Sequence, residues 1–164
     1  MSRMLAAAFL VLALSMSGVD AQQVSVVGSW KLVSYDTTTP QGVTTYPLGE
    51  DAVGLLIYLP SGRMSVQFMR PNPAKFASGD AWRGTLEEER AAFRGFFGYA
   101  GRYTLDPKHG SVTHHIEISS IPDYVGTNVM RTFTMTGNRI TLRTPQRAMA
   151  GQTSTSTLIW ERVD

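Results

Sequence analysis

The residues best suited to acid–base chemistry in this chain are three histidines, and two of them are adjacent. His114 and His115 lie in the stretch GSVTHHIEISSIPDYVGT, and His109 precedes it. Imidazole can serve as general base, general acid or metal ligand near neutral pH. Successive side chains of a strand point to opposite faces, so His114 and His115 cannot both reach one ion. Zinc requires at least three protein ligands at suitable spacing. The chain has no cysteine, no H-x-H and no H-E-x-x-H, so no metal site is expected. It also lacks a glycine-rich phosphate loop, a dinucleotide fingerprint and a G-x-S-x-G elbow, so no cofactor and no serine nucleophile are expected. The histidines remain candidates for a base in a pocket, a pocket lining or a solvated surface.

Alternation gives a direction. His114 shares its parity with Val112, Ile116 and Ile118, and His115 shares its own with Thr113, Glu117 and Ser119. The simple pattern places His114 inside. The inverted register would instead put His115 and Glu117 in the interior as a base–carboxylate pair. Arg131 alternates with Val129, Phe133 and Met135, Tyr103 with Leu105, and Tyr58 lies in the most apolar segment. A buried arginine is costly without a partner, so Arg131 meets either an internal carboxylate or an anionic ligand. Tyr58, Tyr103, His114, Arg131 and Phe133 are therefore the ligand-binding candidates. His114, Arg131 and Tyr103 are the catalytic candidates, with His114 as acid or base and the other two stabilising an enolate or carboxylate. The same residues could also form a satisfied network inside a filled barrel. Asp123, in the Pro122–Gly126 turn, reads as a turn cap.

The elements that must position these residues are short strands separated by turns. Segments 28–35, 53–59, 63–69, 101–106, 111–119, 129–136, 139–144 and 154–163 read as eight strands, with period-two alternation clearest at Met64, Val66 and Phe68 and at Ile140 and Leu142. Pro60-Ser61-Gly62 and Gly137-Asn138 are hairpin turns. Residues 36–51 and 145–153 read as loops, and 70–84 as a longer loop of the kind that forms lids. Thr85-Leu86-Glu87-Glu88 is a capping box opening a helix from Leu86 to about Phe97. Its acidic triplet Glu87-Glu88-Glu89 sits where the helix dipole favours it, which explains these carboxylates without catalysis. Eight strands with short connections solve the exposed-edge problem by closing. The fold class expected is all-β, a single antiparallel up-and-down β-barrel with one short α-helix, a β-sandwich being the less specific alternative. Such a barrel holds side chains or one small ligand.

Bulk properties narrow the function. Residues 1–21 carry Arg3, an apolar run over residues 5–16 and the Val19-Asp20-Ala21 triplet, the order of a secretory signal peptide. The run is short of the ~20 residues a spanning helix needs. The expectation is an exported, periplasmic or secreted, domain of residues 22–164 with no stable membrane anchor after cleavage. Lacking cysteine, it has no disulfides and must be held by core packing. The 15 basic and 13 acidic residues are scattered, giving a net charge of +2 without a basic block, so no nucleic-acid partner is expected. Oligomeric state is left open.

Several segments resemble a known family. Gly28-Ser29-Trp30 resembles the Gly-x-Trp signature of lipocalins, and Arg162, from Trp160-Glu161-Arg162, is the candidate for the arginine that covers the tryptophan. GSWKLVSY, PLGEDAVGLLIYLPSGRMSVQFMRP, FFGYAGRYTLD, GSVTHHIEISSIPDYVGT, MRTFTM, NRITLRTP and LIWERV look like recurring phrases of the bacterial and fungal lipocalin-like domain family. They cover nearly all of residues 22–164, in order. The resemblance implies a calycin-type barrel, with Gly28, Trp30 and Arg162 as its structural signature. It says less about chemistry, since relatives with such barrels include binders of small hydrophobic molecules and cofactor-independent isomerases or cyclases. Two functions follow. One is a module binding a small hydrophobic or amphipathic molecule inside the barrel. The other is an isomerase, cyclase or hydrolase using His114 and Arg131.

Overall fold

The computed structural model describes residues 25–149 and 151–163; the expected signal segment lies outside them. The strands are β1 (Gly28–Thr38), β2 (Thr44–Thr45), β3 (Val53–Tyr58), β4 (Arg63–Met69), β5 (Phe96–Asp106), β6 (Ser111–Ser119), β7 (Asn128–Thr136), β8 (Arg139–Arg143), β9 (Arg147–Met149) and β10 (Gln152–Arg162), with helix α1 (Leu86–Arg94) between β4 and β5. Eight of them, β1, β3, β4, β5, β6, β7, β8 and β10, pair antiparallel in that order, and β10 returns to β1 to close the barrel. The all-β barrel expected from the sequence is thus the fold. The short strands β2 and β9 pair onto β1 and β10 and turn parts of both expected loops into hairpins.

One end of the barrel is sealed as the Gly-x-Trp pattern implies. Trp30 is fully buried and donates its indole N–H to the Val26 carbonyl at 2.9 Å. The Arg162 guanidinium lies 4.1 Å from the centroid of the Trp30 ring and donates to the carbonyls of Val27 and Ser25 at 2.6 and 3.1 Å. Gly28 has φ 136°, a backbone region that other residues rarely adopt. The core above this plug is apolar, with Leu56, Ile140 and Trp160 fully buried.

Two features depart from the sequence reading. The helix ends at Arg94, with Gly95 as its C-cap, and Phe96 and Phe97 already belong to β5. Phe97, Tyr99, Gly101, Tyr103 and Leu105 share one parity, so the strand period takes over where the helical spacing was expected to continue. The second departure is at Ile118, expected inside with His114 but 66% exposed. The β5–β6 register shifts between Ala100 and Gly101, pairing Gly101 with Ile116 and Ala100 with Ile118. The extra residue, Glu117, is a bulge, and a bulge reverses the facing of everything beyond it. Gly101 is required at this crossing, because a Cβ there would collide with the His115 carbonyl.

Helix α1 has the expected capping box between Thr85 and Glu88. Glu88 also accepts from the Ala77 N–H at 2.8 Å, which ties the long loop to the helix. The Ala77 bond first, then that from the Thr85 N–H, holds its carboxyl below the ordinary range. No residue of α1 is buried, and Leu86 and Phe93 are exposed. Among the described residues, no helix is long and apolar enough to cross a membrane.

Candidate binding cavity

Away from the Trp30 plug the barrel opens into a cavity of about 430 Å³. Tyr35 on its wall is five residues beyond Trp30 along β1, a distance of roughly 16 Å at ordinary strand rise. The apolar wall is built by Leu48, Phe68, Phe97 and Leu158, and α1 contributes Phe93 and Arg94 at the rim. Phe68 packs edge-on to both Tyr35 and Phe97, at centroid separations of 5.1 and 5.2 Å. Polar groups reach the wall from Tyr35, Thr144 and Ser156. Tyr35 shares a hydrogen bond with Ser156, and burial raises its phenol above the ordinary range. Thr144 accepts from the Ser156 N–H at 2.9 Å.

Four arginines line this cavity, Arg70, Arg94, Arg131 and Arg147, and no carboxylate does. Arg70 and Arg94 are exposed at the rim, and Arg70 donates to the Pro47 carbonyl at 3.1 Å. Arg131 is only 5% exposed. Its Nη1 and the Nε of Arg147 are buried without a hydrogen-bond partner. Each guanidinium lies near an aromatic ring, Arg131 at 5.9 Å from the Tyr99 centroid and Arg147 at 5.7 Å from that of Tyr124. The two rings are themselves stacked, 6.5 Å apart. Among the described residues the arginine–carboxylate ion pairs are those of Arg63 and Arg102 with Glu117 and of Arg139 with Glu161, and His109 lies 2.7 Å from Asp106; none of these reaches this cavity.

Behind the wall lies a polar network centred on His114, which is 1% exposed. The Tyr58 hydroxyl is 2.6 Å from its Nε2 and the Tyr99 hydroxyl 2.7 Å from its Nδ1. A neutral imidazole donates through one nitrogen and accepts through the other, so one tyrosine accepts from the ring and the other donates to it. Burial first, then the Arg131 charge, then His115, pushes the His114 pKa well below the ordinary range. Burial likewise raises the phenols of Tyr58 and Tyr99, so both stay protonated. Both ring nitrogens are engaged, which leaves His114 none free to take a proton from a substrate.

Of the five ligand-binding candidates from the sequence, Arg131 lines the cavity. Tyr58 and His114 are core residues in the network behind it, and Tyr103 packs edge-on to Tyr58 while its hydroxyl donates to the Leu59 carbonyl at 3.0 Å. Phe133 is buried in the core. The structure therefore brings Tyr58, Tyr103 and His114 together, but not around the open space. The inverted register does not occur. His115 lies outside the barrel, 2.7 Å from Asn128 Oδ1 and 3.0 Å from Thr104 Oγ1, and Glu117 is exposed. Asp123 is exposed in a short 3-10 turn. Arg147, Tyr99 and Ser156 escape the sequence reading. Tyr99 carries a signal in its parity with Phe97 and Tyr103, and Ser156 in its parity with Leu158 and Trp160.

Among the described residues, no group of three histidines or carboxylates could hold a metal ion. No solved structure matches the chain significantly. A curated relative is the 4'-hydroxy-3'-methoxypropiophenone carrier protein ppsC of Aspergillus oryzae, 30% identical over an alignment of 107 residues that covers 61% of this chain and 96% of the relative. The family model described as "Lipocalin-like domain" matches residues 27–163, and the chain belongs to that family.

Proposed function

We propose that this protein is a carrier or binding protein that holds one small amphipathic molecule in the cavity at the open end of its barrel. The observation that carries this reading is the cavity itself: about 430 Å³ of space with apolar walls and a few convergent polar groups, at the end opposite a tightly sealed plug. The carrier relative supports it, since its named cargo is a substituted propiophenone, a small aromatic molecule. The position of His114, enclosed between two tyrosines behind the wall, favours binding over acid–base turnover. We further propose that residues 1–21 direct export, which N-terminal sequencing of the protein recovered from its host tests by showing whether the chain begins at residue 22.

Native mass spectrometry of the protein purified gently from its own host tests the carrier reading. The expected result is a stoichiometric small-molecule adduct in the wild type, lost in Leu158→Trp, whose larger side chain fills the cavity. A bare wild-type mass, together with no saturable binding of the neutral apolar fluorophore N-phenyl-1-naphthylamine, would overturn it.

A further inference from the structure

We propose that the cargo is an organic anion, whose acidic group sits between Arg131 and Arg147 while its apolar body lies against Phe68, Phe97 and Leu158. This inference rests on the carrier reading and specifies its ligand class. It starts from an imbalance of charge. Arginine stays protonated in proteins and cannot escape burial by losing its proton. A buried cation is tolerated when it is paired and hydrogen-bonded. Arg131 is buried, and its Nη1 has neither an acceptor nor a counter-ion among the described residues; the Nε of Arg147 is in the same condition.

No internal group supplies the missing charge. The cavity wall contains no carboxylate. The acidic protons nearby belong to Tyr35, Tyr58 and Tyr99, whose burial keeps them neutral. Arg131 and Arg147 both line this one cavity, each with its guanidinium near a ring of the Tyr99–Tyr124 pair. Arg70 and Arg94 extend the same sign of charge to the rim, where it steers an anion inward. A bound carboxylate, phenolate or sulfonate would supply acceptors for the orphaned N–H groups. The aromatic and aliphatic walls select a body with the same apolar character.

A matched pair of fluorophores tests this in the full-length mature protein. 1-Anilinonaphthalene-8-sulfonate is anionic, and N-phenyl-1-naphthylamine has the same ring system without the sulfonate. The wild type is expected to bind the anion more tightly. Because a hydrogen bond to a charged group carries roughly a tenfold to hundredfold effect, Arg131→Gln and Arg147→Gln should each weaken the anion by about that factor. Both variants should weaken the neutral probe far less than the anion, so that the preference for the anion falls, and Arg131→Lys should retain part of the preference. Thermal melts establish that each variant is folded. Equal affinity for the two probes, with the anion unaffected by Arg131→Gln, would overturn the organic-anion assignment while leaving the carrier reading intact. If neither probe responds to Leu158→Trp, the cavity is not the binding site and both readings fall.

Discussion

The two ends of the barrel each hold an arginine against an aromatic ring, and they use it in opposite ways. At the sealed end Arg162 lies on Trp30 and hands its N–H groups to two backbone carbonyls. At the open end Arg131 lies by Tyr99, more deeply buried, with Nη1 lacking any acceptor. The first arginine hands its Nη groups to the fold; the second leaves Nη1 without an acceptor from the fold. A cation–π contact alone therefore does not reveal an arginine's purpose. The destination of its N–H groups does.

Removing the plug should have the largest effect on the barrel. Trp30→Ala should cost about 3–5 kcal/mol of stability, as expected for deleting a fully buried aromatic ring, measured by urea unfolding. The sharper contrast comes from making the same substitution at both ends. Arg162→Met should destabilise the ligand-free protein by about 1.5–3 kcal/mol through its lost charge-assisted bonds. Arg131→Met should leave it unchanged or raise its melting temperature, because an uncompensated charge has been replaced by an apolar chain of similar length. Equal losses at the two positions would make Arg131 as structural as Arg162.

Between the ends sits His114, and its chemistry is legible through pH. His114→Gln should cost about 2–3 kcal/mol at pH 7.5, since two buried tyrosine hydroxyls lose well-placed partners. The folded-state pKa of His114 is depressed. The unfolded chain takes up this proton as pH falls through about 6.5, while the native protein does not. Wild-type stability is therefore lost on acidification below that value, at up to ~1.4 kcal/mol per pH unit, and the gap to His114→Gln narrows accordingly. Unfolding curves at pH 7.5, 6.5 and 5.5 measure this; a constant gap would contradict it. The smallest effect belongs to the outer surface. Glu117→Ala removes ion pairs to Arg63 and Arg102, whose side chains are half exposed or more, and should cost under ~1 kcal/mol in the same assay.

Much of the barrel could be read from alternation, because an inward position packed against a core must be apolar. That logic identifies β4 and β8 and orients His114, whose flanking Val112 and Ile116 are both buried. The Trp30–Arg162 plug is legible in another way, through the resemblance of Gly28-Ser29-Trp30 to the lipocalin Gly-x-Trp signature. Alternation fails where the interior is open. Thr144, Ser154 and Ser156 are buried yet polar, and 145–153 reads as a loop even though it carries β9 and Arg147. It fails again at the Glu117 bulge, whose position is set by pairing with β5 and leaves no mark on β6 alone. The cavity is thus the part of the molecule least visible in the sequence, because its walls face a ligand and need not obey the rule for a core. Arg131 is the exception: a charge on an otherwise apolar face is conspicuous, and it is the sequence candidate that reaches the wall.

A crystal structure of the protein soaked with 1-anilinonaphthalene-8-sulfonate would show whether Arg131 receives an anion inside the barrel. The fluorophore is expected inside the barrel, its rings against Phe68, Phe97 and Leu158 and its sulfonate within hydrogen-bonding distance of Arg131, with the Trp30–Arg162 stack undisturbed. An empty cavity with the fluorophore on the exposed Leu86–Phe93 face of α1 would contradict it.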